Sequence, residues 1–201
     1  MLLKNLIRYI SKDKKNIIIS GISSNSKKIK KNYIFFAIRG KKLNGEKFIK
    51  EAIYRGASVV VCSKSCKTKN YSVPIIKTNK IRYLLSDICS KYYKSKPKNI
   101  IAVTGTNGKT SVSDLFYQIL RINNIRVASI GTLGIKYNDK IIKTNLTSPD
   151  TITLHKNLDY LKNKKINNVI IEASSHGLDQ KRLHHIKFKG AIFTNFSQDH
   201  L

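Results

Sequence analysis

The chain has 201 residues, 41% of them hydrophobic, and 39 Lys and Arg against 11 Asp and Glu give a net charge of +28. That length holds one large domain or two modest ones with a real core, while no apolar run approaches the roughly 20 residues of a membrane span. The lysines run through every segment beside abundant Ile and Asn, which marks a compositional drift and not an evolved nucleic-acid groove.

The opening MLLKNLIRYISKDKK lacks the apolar centre and cleavage site of a signal peptide, so the protein is expected to be cytoplasmic. YIFFAI (33–38) is a buried-strand run, EKFIKEAIYRGA (46–57) has helical spacing, and SVVVC (58–62) and VPIIK (73–77) are further strands. Cys62, Cys66 and Cys89 show no zinc spacing with histidine and are read as reduced thiols. A helix over NKIRYLLSDICSKYYK closes this small α/β unit, and the charged KSKPKN (94–99) marks a boundary, giving domains 1–95 and 96–201.

Beyond the boundary, the pattern predicts strands 100–103, 126–130, 168–172 and 190–195 and helices 110–122 and 151–163. Such alternation implies a doubly wound, mostly parallel sheet, whose ligands bind at the carboxyl ends of the strands. The chain stops at NFSQDHL with no helix over the last strand, which leads to the expectation of a truncated protein.

The first strand leads into TGTNGKTS. The usual phosphate loop, G-x-x-x-x-G-K-[ST], would need a glycine at 103, which here is Val103. Val103 belongs to the strand, and Gly105 is the first glycine of a shorter loop, G-x-x-G-K-[ST]. Gly105 and Gly108 permit a turn with inward-pointing amides, and a helix starts at once, with its positive end at the loop. Thr106 and Asn107 complete the turn and Ser111 follows it. Lys109 can reach terminal phosphates, and the Thr110 hydroxyl is placed for Mg²⁺. Strand 168–172 delivers Glu172 to the same edge, where a carboxylate can bind Mg²⁺ directly or through water.

Three polar segments lie near that edge. Ser174, Ser175 and His176 are read as a polar turn. Neighbouring residues seldom face one another as nucleophile and base, so substrate hydrogen bonding is preferred to hydrolase chemistry. Arg182 is open between a carboxylate or phosphate clamp and an ordinary surface position. KTNLTSPDT (143–151) is either an N-cap loop or a loop that touches substrate, and GAIFTNFSQDHL brings Thr194, Asn195, Asp199 and His200 to the edge. Taken alone, His200 is equally a ligand or a structural residue. His155, His184 and His185 are read as surface residues.

TGTNGKTS, TNLTSPDT, EASSHGLDQKR and FTNFSQDHL, in this order and spacing, resemble the Mur ligases of peptidoglycan synthesis. Within that family they most resemble ligases adding the third residue to UDP-N-acetylmuramoyl-L-alanyl-D-glutamate. SSNSKKIKKNYIFFAIRGKKLNGEKFI resembles the family's UDP-binding domain, with Ser26 retained, Asn25 and Lys27 replacing an acid and an arginine, and Asn44-Gly45 standing for aspartate–glycine. The resemblance implies a small N-terminal UDP-binding α/β domain followed by a P-loop ATPase domain incomplete at its end.

It also implies an ATP-dependent amide ligase working through an acyl phosphate on the D-glutamate γ-carboxylate. Lys109 would stabilise the transferring phosphoryl group, Thr110 and Glu172 would hold one Mg²⁺, and His200 a second. Ser26, Thr147, Ser148, Ser174, Gln180 and Arg182 match substrate-contacting positions. The partners implied are UDP-N-acetylmuramoyl-dipeptide and a diamino acid, with diaminopimelate the commoner choice over lysine, and the protein is expected to act as a monomer without nucleic acid or membrane. The family's carbamylated lysine and C-terminal domain fall outside these residues, so the chain alone is expected to bind nucleotide or UDP-substrate weakly without completing ligation. The alternatives are another Mur-type ligase, a folylpolyglutamate synthase, a non-catalytic nucleotide-binding fragment, or a basic nucleic-acid-binding protein with an incidental loop.

Overall fold

The computed structural model describes residues 1–8, 10–40, 43–67, 71–143 and 146–197. The chain divides into two compact units, Met1–Tyr92 and Tyr93–Leu201.

In the first unit, β1 (Gly21–Ser23), β2 (Tyr33–Phe36), β3 (Ala57–Ser63) and β4 (Ile75–Thr78) form one parallel sheet in that order. The stretch expected as a single helix, 46–57, is a 3₁₀ turn at Gly45–Phe48 followed by α1 (Ile49–Tyr54). The Asn44 side chain starts the turn by accepting from the Glu46 amide at 3.0 Å. Gly45 is needed because a Cβ there would lie 2.6 Å from the Ile38 carbonyl. Phe35, Ala37, Val60 and Cys62 pack on Ile49 and Ala52 of α1, and α2 (Ile81–Tyr92) follows β4. All three cysteines are buried thiols outside any disulfide. Burial, then the neighbouring Cys66, pushes the Cys62 thiol up to about 12, far from a reactive thiolate.

The second unit runs through β5 (Asn99–Thr104), α3 (Lys109–Ile122), β6 (Val127–Gly131), β7 (Gly134–Tyr137) and β8 (Lys140–Ile142). It continues with α4 (Thr151–Asn163), β9 (Asn168–Glu172), α5 (Ser175–Asp179) and β10 (Gly190–Phe193). The sheet order is β10-β5-β9-β6-β7-β8. Its first four strands are parallel and the last two antiparallel. Alternate residues of the central strands, Ile100, Ala102, Ala128, Ile130, Val169 and Ile171, form a core with Leu154, Leu158 and Leu161 of α4. The other face of the pleat belongs to α3, which packs on β5, β6 and β9. The chain therefore crosses on both faces, and β5 and β9 lie side by side with their carboxyl ends at one edge.

The expectation for one of the histidines is overturned. His155 is not at the surface: it is fully buried on α4. Burial, then the charge of Lys96, lowers it to about 3, opposed by a hydrogen bond with the His184 backbone and joined by His185. The folded protein thus keeps His155 neutral, whereas the unfolded chain takes up its proton near pH 6.5. Its contribution to stability is complete above about pH 6.5 and declines as the pH falls toward 3, at roughly 1.4 kcal/mol per pH unit. Urea unfolding between pH 7 and 4 should show this slope, and His155→Gln should flatten it; an unchanged slope in the variant would assign the acid lability to other groups.

Candidate functional site

The edge where β5 ends carries a cleft of about 980 Å³. Val103 is a full member of the sheet, paired with Glu172 on β9 and with Ile192 on β10. The loop starts after it. Gly105 has φ +133° and Gly108 φ +81°, the first of them open essentially to glycine alone. Gly108 is the N-cap of α3 and supplies no side-chain cap, whereas Asp150 caps α4 and Ser174 caps α5. The first-turn amides of a helix have no intrahelical acceptor, so those at Lys109, Thr110 and Ser111 face the cleft edge with the positive end of the helix dipole. The Lys109 ammonium donates to the carbonyls of Gly105 and Thr106, both at 2.6 Å. It carries three protons, which leaves one for a phosphate oxygen.

The two middle loop residues behave differently. Thr106 N donates to the Asn195 carbonyl at 3.1 Å, and Asn107 N to the Asn195 side-chain oxygen at 3.0 Å. Thr194 Oγ1 donates to the Asn107 carbonyl at 2.6 Å, and Thr106 Oγ1 to the Ser197 carbonyl at 3.0 Å. Residues 194–197, expected from the sequence at the ligand edge, thus form a strap that shapes the loop, with Phe196 and Ser197 lining the cleft. Anion-binding capacity falls to the helix start and Lys109, while Thr106 and Asn107 line the cleft with their amides engaged.

Glu172, at the end of β9, is only 2% exposed. It accepts from Thr110 Oγ1 at 2.9 Å and from Thr132 Oγ1 at 3.0 Å on one oxygen, and from Thr132 N at 3.0 Å on the other. Gly131 makes room for it, since a Cβ there would sit 1.9 Å from Glu172 Oε1. Sequence reasoning missed Gly131 and Thr132. Their signal was a polar residue just past the carboxyl end of a strand, the same position that picked out Glu172.

The loop of residues 146–150 closes the cleft on its other side. Ser148 is buried, donating to the Glu172 carbonyl at 2.8 Å and accepting from Ser174 N at 3.0 Å. Ser174 caps α5 by accepting from Gly177 N at 3.1 Å, so the expected polar turn is a short helix. Arg182 Nη1 donates to the Ser148 carbonyl at 2.6 Å, and its Nη2 and Nε donate to Gln180 Oε1 at 2.9 and 3.2 Å. Ser148 and Ser174 are therefore braces as well as cleft residues. Arg182 and Thr147 line the cleft, with Gln180 behind Arg182.

Ser26 belongs to the first unit. Its hydroxyl donates to Glu51 Oε2 at 2.8 Å, and this bond, ahead of the one from Arg55, lowers the Glu51 carboxyl below its ordinary value. Asp199 and His200 lie outside the described residues.

The oxygen donors at this edge suit Mg²⁺. Thr110 spends its one proton on Glu172, leaving hydroxyl lone pairs beside a buried carboxylate. Both are hard oxygen donors of the kind Mg²⁺ takes, together with phosphate oxygens and water. Among the described residues no group of three or more His, Cys, Asp or Glu forms a dedicated cage. The residues present fit.

A parallel sheet with a short glycine loop, an uncapped helix behind it and a buried acid on the adjacent strand defines a P-loop-type α/β unit. Residues 103–201 match the Mur ligase middle domain and residues 18–93 the Mur ligase family catalytic domain. UDP-N-acetylmuramoyl-L-alanyl-D-glutamate--2,6-diaminopimelate ligase of Aquifex aeolicus is 40% identical over 91% of this chain and 38% of its own length. The ligase of the same name from Wigglesworthia glossinidia brevipalpis is 39% identical over 98% of this chain and 42% of its own. A solved structure of a ligase with that name superposes with a TM-score of 0.84 at 27% identity, covering all of this chain and 41% of the other. A MurF ligase from Thermotoga maritima in complex with ADP shares the fold, with a TM-score of 0.57 at 22% identity over 84% of this chain and 35% of the other.

The chain belongs to the Mur ligase family. It spans about two fifths of the length of the relatives it matches. Among the described residues no helix is long and apolar enough to cross a membrane.

Proposed function

We propose that the chain supplies the UDP-precursor-binding and ATP-binding parts of an ATP-dependent amide ligase. Residues 1–95 would take the UDP moiety, with Ser26 at that site, and residues 96–201 the nucleotide. The acceptor is UDP-N-acetylmuramoyl-L-alanyl-D-glutamate and the added residue meso-diaminopimelate, a choice supported by the names of the relatives. The observation that carries the reading is the uncapped start of α3 behind Lys109, facing the Thr110–Glu172 pair in one cleft with Arg182.

In this reading, the D-glutamate γ-carboxylate oxygen bonds to the γ-phosphorus of ATP as the bond to ADP breaks. The amine of the incoming residue then bonds to the acyl carbon and phosphate leaves. The first-turn amides of α3 and Lys109 bind the phosphates and spread the charge of the transferring group. Arg182 and Thr147 orient the carboxylate-bearing end of the acceptor, which raises its effective concentration at the phosphorus. Thr110 and Glu172 would hold Mg²⁺, which supplies charge neutralisation of the phosphates, and His200 remains assigned to a second ion.

Titration calorimetry on the 201-residue chain tests the acceptor. The full UDP-muramoyl dipeptide should bind more tightly than the precursor lacking D-glutamate, and that precursor more tightly than UDP. Equal affinities for all three would exclude an acceptor site on this chain.

A further inference from the structure

Thr132 lies on the short connection between β6 and β7, 40 residues from Glu172 in sequence, and is bound to it twice: Thr132 N donates to Oε1 and Thr132 Oγ1 to Oε2, each at 3.0 Å. The same hydroxyl lies 3.1 Å from that of Thr147. Thr110, on the phosphate loop, donates to the very oxygen that Thr132 Oγ1 serves. These contacts make a continuous chain from the start of α3, through the buried carboxylate, to the loop on the far side of the cleft.

The proton count gives the chain a direction. A threonine hydroxyl has one proton to donate and two lone pairs. The Thr132 hydroxyl is placed to donate both to Glu172 Oε2, the acceptor with the greater charge, and to Thr147 Oγ1. Thr147 is then the acceptor at the far end of the chain. Glu172 receives two hydroxyl protons on Oε2 and one amide proton on Oε1, so its rotation is fixed from both sides. The space at Gly131 admits this position of the carboxylate and no Cβ.

We propose that Thr132 is a positioning residue: it fixes Glu172 for the cation and ties that carboxylate to Thr147, linking the nucleotide loop to the substrate loop. This rests on the reading of the cleft as a magnesium–ATP site. Partners that orient a metal-binding carboxylate typically change metal affinity by about 10- to 100-fold when removed. Thr132→Val keeps the shape and the amide contact and deletes the hydroxyl, while Thr132→Ser restores the hydroxyl without the methyl.

The measurement is ATP affinity of the 201-residue chain in EDTA and in excess MgCl₂, read as the ratio of the two. A loss of folded material cancels in that ratio, because both titrations use the same preparation. In the wild type magnesium should tighten ATP binding. In Thr132→Val the gain should shrink about tenfold, and in Thr132→Ser it should return to within about threefold of the wild type. A Thr132→Val ratio equal to that of the wild type would overturn the proposal, and so would a Thr132→Ser ratio as small as that of Thr132→Val. A wild type with no magnesium-dependent gain would overturn the magnesium–ATP reading itself and the proposal with it, an outcome distinct from the other two.

Discussion

Lys109→Met is expected to lower the affinity of the chain for magnesium–ATP about a hundredfold, roughly 2.8 kcal/mol. The lysine has two tasks that methionine cannot take over. Its ammonium closes the loop through the Gly105 and Thr106 carbonyls, and its third proton is the one available to a phosphate. Hydrogen bonds that involve a charged group contribute about 1.5–3 kcal/mol each, so the phosphate contact alone accounts for most of the loss. Arginine is not a substitute, because its planar fork cannot place a point charge inside so short a loop. Equilibrium dialysis with ATP, alongside a thermal melt, separates a binding defect from a folding one. An affinity within threefold of the wild type would show that the lysine only holds the loop together.

Gly105→Ala is expected to abolish measurable nucleotide binding and to cost about 2–4 kcal/mol of stability in the second unit. Two independent causes add at this position. The backbone sits at φ +133°, which a residue with a Cβ resists. The methyl would also lie 2.1 Å from Thr194 Oγ1 and 2.9 Å from the Asn195 carbonyl. The Thr194 side chain can rotate away, but the Asn195 backbone cannot, and both belong to the strap that shapes the loop. Gly108→Ala is the informative companion: its φ is +81°, and a Cβ there meets nothing nearer than Thr194 at 4.0 Å. It should cost only about 1–2 kcal/mol. Equal losses in the two variants would mean that the strap contacts carry no weight.

The contrast between those glycines shows what the sequence could and could not convey. G-x-x-G-K-[ST] after an apolar strand announces a phosphate loop because each residue type meets a local need. That Gly105 also has to admit Thr194 depends on a segment about 90 residues away, and no local rule carries it. The same holds for Thr132 and Glu172, which meet only because β6 and β9 are neighbours in the sheet.

Other omissions had a signal that went unused. β7 and β8 are joined through Asn138 and Asp139, both at positive φ, the residue types a tight hairpin favours. β8, however, is wholly exposed and offers no apolar pattern to catch the eye. His155 follows Leu154 and precedes Leu158 and Leu161, so helical periodicity alone places it on the inward stripe of α4. Its polarity outweighed its position in the reading of the sequence, and the structure corrects this. The strands and helices that flank the site were legible because they are long, strongly patterned and bounded by glycine, proline or a charged run.

Backbone NMR of the 201-residue chain during a magnesium–ATP titration tests the central claim most directly. Saturable shifts should appear at Gly105, at Gly108 to Ser111, and at Thr132 and Glu172, and in Lys109→Met they should need about a hundredfold more ATP. Shifts clustered away from the cleft, or none at millimolar ATP, would contradict the account.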